Sequence, residues 1–309
     1  MGGGLSRHEL AAAVSEAGGL GTIAVNGAAA IRRELDAARS LTARPIAVNL
    51  LLPFARRDWF EAAEAADVVV TFWGEPRRRT GRAWLHQCGS VEEAVAAYGA
   101  GADAAILQGV EAGGHVRGTT PALELLERAR AALPADYPLL VAGGIATSDD
   151  VRRALAAGAA GAVAGTRFLL SEESRAHPGY RQRLLGAEET LLTDLFGLGW
   201  PAPHRVVPNA ATEGGLGAAG DGPRDLRRGP ALNRALNRVS APTARYMPPA
   251  LQRRLVISQR PGGRLLTPQS ATDDGPATLL DAGPLYAGET VKRIDEVRSA
   301  AEIVRALTP

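Results

Sequence analysis

Along the first 170 residues, apolar positions come in short runs, and several of these follow a helix-like stretch closed by glycine. Three of these stretches open on a hydroxyl residue with an acid three positions on: Ser6/Glu9, Ser90/Glu93 and Thr147/Asp150. That spacing lets side chain and backbone cap each other at a helix start, aspartate being a weaker partner than glutamate. The periodic runs stop at Ala17-Gly18, Ala100-Gly101 and Ala157-Gly158, as helices ending on a left-handed glycine do. A short buried-strand pattern then follows each time, in GTIAV, AAILQ and GAVAG. Helix, glycine stop and apolar strand form the repeating half of a parallel βα array.

Strands are expected at residues 20–25, 45–52, 67–73, 83–88, 104–109, 138–145 and 161–169. A closed (β/α)8 TIM barrel has eight. The chain opens at a helix cap, so the expected fold is an α/β TIM barrel lacking its first strand. That strand would lie ahead of Met1, through a misplaced start or a real truncation; an open doubly wound sheet is the alternative. The stretch GEPRRRTGR (74–82) is too short and too rich in Pro and Arg for a crossover helix. Three parts are expected: the barrel over 1–185, a smaller loop-rich helical subdomain over 186–284 containing ALNRALNRV, and a return segment over 285–309. In the last, EVRSAAEIVRAL regains helical periodicity and supplies the final barrel helix.

Composition narrows the chemistry. The 309 residues carry a net charge of only +2 and no long basic run, so no nucleic-acid surface is indicated; the Arg-rich stretch 224–238 reads as a solvated face. No apolar run spans a bilayer and no signal peptide precedes the first helix, and one cysteine, Cys88, fits a reducing compartment; a cytoplasmic protein is expected. Among 35 cationic residues there is one lysine, Lys292, which argues against a P-loop or a Schiff base. A bound phosphate would have to rest on backbone N–H groups or arginine.

In a βα barrel the C-terminal strand ends face the active site. Those ends carry Asn49, Gln108-Gly109, Gly113-Gly114-His115, Gly143-Gly144 and Gly165-Thr166. Glycine turns on two adjacent units, 143–144 and 165–166, suit one phosphate held by backbone N–H groups. His115 follows two glycines that allow close backbone approach to a flat ligand. It is read either as an acid/base group near neutrality or as a residue that only caps the next helix. Glu111 either positions this loop, pairs with Arg117 or is a surface acid. No histidine has metal-ligand spacing, so no metal is expected, and Cys88 reads as a buried small hydrophobe.

The blocks ILQGVEAGGHVRGTTP, LLVAGGI and VAGTRFLLSEES resemble the nitronate monooxygenase family, also called 2-nitropropane dioxygenases, which are FMN-dependent TIM barrels. The resemblance extends from LAAAVSEAGGLGTIAV through RPIAVNLLLPF and DLFGLGWPAPHRVV to the C-terminus, leaving out roughly 215–280. It implies that Asn49 and Gln108 bond the flavin ring or its ribityl tail and that Gly113 lies against the flavin. Gly143 and Gly144, with the turn Val163-Ala164-Gly165-Thr166, would bind the FMN phosphate. His115 would bind the nitronate anion or act as base toward a neutral nitroalkane, with oxygen completing the reaction to a carbonyl compound and nitrite. Two features depart from the family pattern: the absent Ala-Pro-Met strand, whose tail Met1-Gly2-Gly3 resembles, and Val116, which displaces Arg117 from the usual Gly-His-Arg-Gly order. FMN-dependent enoyl-ACP reductases share the EAGGH block and the Gly-Thr-Arg-Phe turn and form the nearest rival. A catalytically silent flavin-binding barrel is the other. Homo-oligomerisation and NAD(P)H use are left open by the sequence.

Overall fold

The computed structural model describes residues 2–214, 216–217 and 225–309, arranged in two compact units. Met1, ahead of which a strand is expected, and Arg224, the first residue of the Arg-rich stretch, lie outside the described residues. The first unit comprises Met1–Glu111, Arg117–Arg175 and Glu296–Pro309; the second comprises Ala112–Val116 and Ala176–Asp295.

In the first unit α1 (His8–Glu16) leads to β1 (Gly21–Ile23), α2 (Ala28–Leu41), β2 (Ile46–Leu51), α3 (Arg57–Ala63) and β3 (Val68–Phe72). Then come β4 (Ala83–Cys88), α4 (Val91–Gly99) and β5 (Ala104–Gln108). After β6 (Gly114–His115), which belongs to the second unit, follow α5 (Ala122–Ala132), β7 (Leu139–Ala142), α6 (Ser148–Ala156), β8 (Gly161–Val163) and α7 (Thr166–Leu169). The seven strands β1–β5, β7 and β8 pair in parallel and in chain order. This is the α/β fold of a TIM barrel, built with seven strands. Both faces of the strands are covered, as a parallel sheet requires. Ala47, Val70, Ile106 and Ala142 cluster together, while Leu107, Leu139 and Val141 pack with Ala97, Leu125 and Leu126 of α4 and α5.

The glycine stops form as the sequence indicates: Gly18, Gly101 and Gly158 have φ of 97°, 82° and 91°. The caps divide. Thr147 and Asp150 complete a reciprocal capping box, and Ser90 Oγ accepts the Glu93 N–H, but Glu93 itself turns to the Gly89 N–H. Ser6 does not cap α1; its hydroxyl donates to the Thr22 carbonyl at 2.6 Å, because the preceding segment runs along the outer edge of β1. Gly4 N–H donates to Ala24 O and Ala24 N–H to Ser6 O, while Leu5 O accepts Arg175 N–H from beyond α7. These few residues bond β1 on one side and the segment after the last barrel strand on the other. The C-terminal helix (Ala300–Leu307) packs against α1, α6 and α7, and so serves as a helix of the barrel. Between β3 and β4 the chain crosses without a helix. Arginines hold this loop instead: Arg78 bonds Asp103 and Gly101 O, and Arg82 bonds Glu64 O.

The second unit begins at Ala176 rather than at residue 186 and takes in 112–116. It holds α8 (Pro178–Leu185), β9 (Leu191–Thr193), β10 (His204–Val207), α9 (Ala210–Glu213), β11 (Leu226–Arg227), α10 (Ala231–Ser240), α11 (Pro249–Ser258), α12 (Leu279–Ala282) and β12 (Leu285–Tyr286). Within 186–284, expected to be loops and helices, β9, β10 and β11 form; with β12 and β6 from outside that segment they make a five-stranded sheet in the order β11-β9-β10-β12, β6 also pairing with β10. Strands of two to four residues are too short to show a two-residue period in sequence. In α10 the polarity is inverted: Asn233 and Asn237 are buried, bonding Gly263 O and Asp194 O, while Val239 is 76% exposed. No helix among the described residues is long and apolar enough to cross a membrane.

Candidate active site

The sequence candidates fall into two groups. In the first unit Asn49 lies on β2, Gln108 ends β5, Gly143 and Gly144 follow β7, and Val163-Ala164-Gly165-Thr166 passes from β8 into α7. All are at or near the C-terminal ends of their strands. Gly143 and Gly144 have φ of 111° and 74°, conformations that favour glycine. An added Cβ on Gly165 would meet nothing within 4 Å, and β8 and the turn up to Gly165 keep partial exposure. Gln108 is buried, and its Oε1 accepts the Arg117 N–H at 2.9 Å. That bond assigns the amide orientation, so its NH2 is the donating end. Gly118 packs on the Gln108 carbonyl so closely that a Cβ would come within 2.2 Å of it.

The Glu111 carboxylate accepts the Ala122 N–H at 3.0 Å, capping α5, and its Oε1 lies 3.5 Å from where a Gly144 Cβ would be. Arg117 pairs with Glu93 and lies over the Trp73 ring at 5.3 Å. Trp73, just past β3, has φ of 66°, a strained conformation for a bulky residue and of the kind found at functional sites. The sequence offers no spacing signal for this trio.

In the second unit His115 stacks on Trp200 with ring centroids 3.7 Å apart and 13° between planes; Tyr286 and His204 follow at 5.4 and 5.3 Å. The pairing of β6 with β10 sets His115 opposite His204. His115 retains some exposed surface, but Nε2 is buried. Desolvation among aromatic rings, with His204 nearby, holds its pKa well below the usual 6.5, so the ring is neutral at pH 7. His204 is wholly buried and pushed down to about 4 by burial. Its Nδ1 faces Ala202 O at 2.9 Å and its Nε2 accepts the Phe196 N–H, which defines the Nδ1-protonated tautomer. Gly113 is glycine for a local reason: a Cβ there would come within 2.4 Å of Gly288 N, so the Ala287–Gly288 backbone uses the space.

The other candidates fall elsewhere. Cys88 is fully buried, and burial raises its thiol pKa far above the usual range, so it is an inert core residue. His86 is buried, bonds Thr71 Oγ1 at 2.7 Å and is held down to about 4 by burial. One group of metal-ligand type comes together among the described residues, His8, Glu9 and Glu34; Glu34 is too distant in sequence for spacing to reveal it. Its acids already have partners: Glu34 lies 2.7 Å from His8 Nδ1 and Glu9 lies 3.1 Å from Arg175. Burial works to raise the Glu34 carboxyl, and hydrogen bonds from His8 outweigh it, leaving the pKa below the usual value.

The first unit thus carries a glycine-turned rim at its strand ends, and the second a neutral histidine stacked among aromatic rings. The family model described as "Nitronate monooxygenase" matches residues 1–86 and 75–197. The chain belongs to the nitronate monooxygenase family and is an oxidoreductase. A nitronate monooxygenase of Pseudomonas aeruginosa is 35% identical over 254 residues, covering 62% of this chain and 71% of the relative. A 5-hydroxy-7a-methyl-1-oxo-octahydro-1H-indene-4-carboxyl-CoA dehydrogenase of Mycobacterium tuberculosis is 27% identical over 337 residues, covering 99% and 89%. Among solved structures, a nitroalkane oxidase from Streptomyces ansochromogenes matches with a TM-score of 0.73 and 28% identity, covering 99% of this chain and 92% of that one.

Proposed function

We propose that this oxidoreductase binds FMN and oxidises alkyl nitronates or nitroalkanes with oxygen to a carbonyl compound and nitrite. The observation that carries this is His115, neutral and packed on Trp200, in a chain of this family. The strand-end rim suits the cofactor. Gly143 and Gly144 turn the backbone through positive φ, Gly165 leaves open space beside it, α7 opens at Gly165 so that its first N–H groups point out of the helix, and the Gln108 NH2 is a donor for a carbonyl-rich ring. Asn49, half-buried on β2, adds a second amide, and Val163, Ala164 and Thr166 complete the phosphate turn.

FMN supplies the redox chemistry that removes electrons from the substrate and passes them to oxygen. The chain supplies position and proton handling. A neutral imidazole is a poor electrostatic partner for an anion but holds a lone pair that accepts a proton, so His115 serves as base toward a neutral nitroalkane. Trp200 and Tyr286 fix the ring and keep water from solvating it.

The test is the visible absorption of the purified chain before and after anaerobic addition of a nitronate. Flavin bands that bleach support the reading; a flavin left oxidised by nitronate but bleached by NADH would replace it with the reductase alternative. A second reading has its own support. The family match ends at residue 197, whereas the carboxyl-CoA dehydrogenase aligns with nearly the whole chain, so a CoA thioester is the alternative substrate class.

A further inference from the structure

Charge is distributed unevenly over the chain. Residues 225–264 hold nine of the 35 cationic residues and one of the 33 acids, a net +8 in a segment whose remainder of chain is net −6. Eight of the nine arginines are exposed, and none forms an ion pair among the described residues. Elsewhere arginines are routinely matched, as in Arg39–Asp67, Arg78–Asp103 and Arg183–Asp281.

Three of these nine arginines share one place. Ala250, Arg253, Arg254 and Ile257 recur at helical spacing on α11 and, with Ser258 and Arg260, line a depression of about 440 Å³. Arg260 is held there: its Nη1 donates to Ile257 O at 3.0 Å and Gln259 O at 2.6 Å. The turn carrying it is pinned by buried Gln259, whose Oε1 accepts the Thr267 N–H. Like charges gathered without a carboxylate repel one another, so an anion bound there gains from each of them. Guanidinium forks match phosphate oxygens in pairs, and Ile257 and Ala250 offer apolar contact beside them.

We infer that this depression binds the phosphorylated ADP end of a small-molecule substrate or reductant. That group carries a diphosphate and a ribose phosphate close together and is borne by both CoA thioesters and NADPH. The inference goes beyond nitronate oxidation and would give the CoA-thioester reading a binding site. It is carried by the arginines and does not require that reading to hold.

The experiment is calorimetric titration of the protein with CoA, 3′-dephospho-CoA, NADPH and NADH, repeated on Arg253→Ala/Arg254→Ala. CoA or NADPH should bind, its analogue lacking the ribose phosphate should bind about 10-fold more weakly, and the double variant should lose about 100-fold, on the scale of charge-assisted hydrogen bonds. Binding of CoA alone marks a thioester substrate; binding of NADPH alone marks a pyridine-nucleotide reductant; either supports the site. Absence of binding to any of the four overturns it, as does an affinity indifferent to the ribose phosphate or to the double substitution. The flavin spectrum of the double variant is the control: it should match wild type, so failure of the phosphate site stays distinct from failure of the flavin reading.

Discussion

Lowering the pH perturbs His204 without any substitution in the chain. The neutral ring uses both nitrogens, donating from Nδ1 to Ala202 O and accepting the Phe196 N–H at Nε2. A second proton would have to sit on Nε2 against that N–H. Burial therefore holds the folded-state pKa at about 4, although the Ala202 carbonyl pulls it upward. The unfolded chain takes up this proton as pH falls through about 6.5, the folded chain only near 4. Between those values the unfolded state binds more protons, so the stability present above pH 6.5 is lost as pH falls toward 4. His86, lowered to about 4 by burial, behaves alike. At about 1.4 kcal/mol per unit, each histidine should cost about 2 kcal/mol between about pH 7.5 and 5, and the pair about 4 kcal/mol. That is a large share of a typical domain's total stability of about 5–15 kcal/mol. Urea unfolding followed by tryptophan fluorescence across that range reads it directly. His204→Gln should lower stability at pH 7 and remove about 2 kcal/mol of the pH dependence, the shares of His86 and His115 remaining. A loss under about 1 kcal/mol in wild type, or a slope untouched by the substitution, would refute the assignment of both rings as buried and neutral.

Three further outcomes are expected. Gly21→Ala places a Cβ 1.8 Å from Ala11 O, so α1 must move off β1; urea denaturation should show a loss of about 3 kcal/mol or more. Gly165→Asp fits sterically, since nothing lies within 4 Å, yet sets a carboxylate where the phosphate is proposed; equilibrium dialysis should show FMN affinity down at least about 10-fold with the fold intact by circular dichroism. His115→Ala should retain flavin absorbance while losing most turnover of neutral nitroalkanes. With the wild-type pKa well below 6.5, the pH-rate profile should stay flat through that value and fall only in stronger acid.

The barrel was legible because its punctuation is local. A left-handed glycine closing a helix is a backbone requirement that neighbouring chain segments rarely override, and Gly18, Gly101 and Gly158 all meet it. Caps were less secure because a hydroxyl has competitors: Ser6 found the Thr22 carbonyl, which only the packing against β1 brings near. In the second unit periodicity misleads, since α10 buries asparagines and exposes Leu232 and Val239. The site divides on the same principle. Glycine turns and the Gly-Gly-His block are visible as strings, whereas the stack of His115 on Trp200 depends on β6 joining β10, a pairing two residues long. The Glu93–Arg117–Trp73 trio likewise exists only once the strands stand side by side.

The helix-free crossing between β3 and β4 also bears on how such a protein changes over generations. It departs from the end of β3 just beyond Phe72, at the rim where the candidate groups gather, and is fastened mainly by arginine contacts at its far end. Lengthening a loop costs little, about 0.6 kcal/mol for each doubling. New residues inserted after Trp73 would therefore enter the mouth of the barrel while leaving the strand pairing untouched.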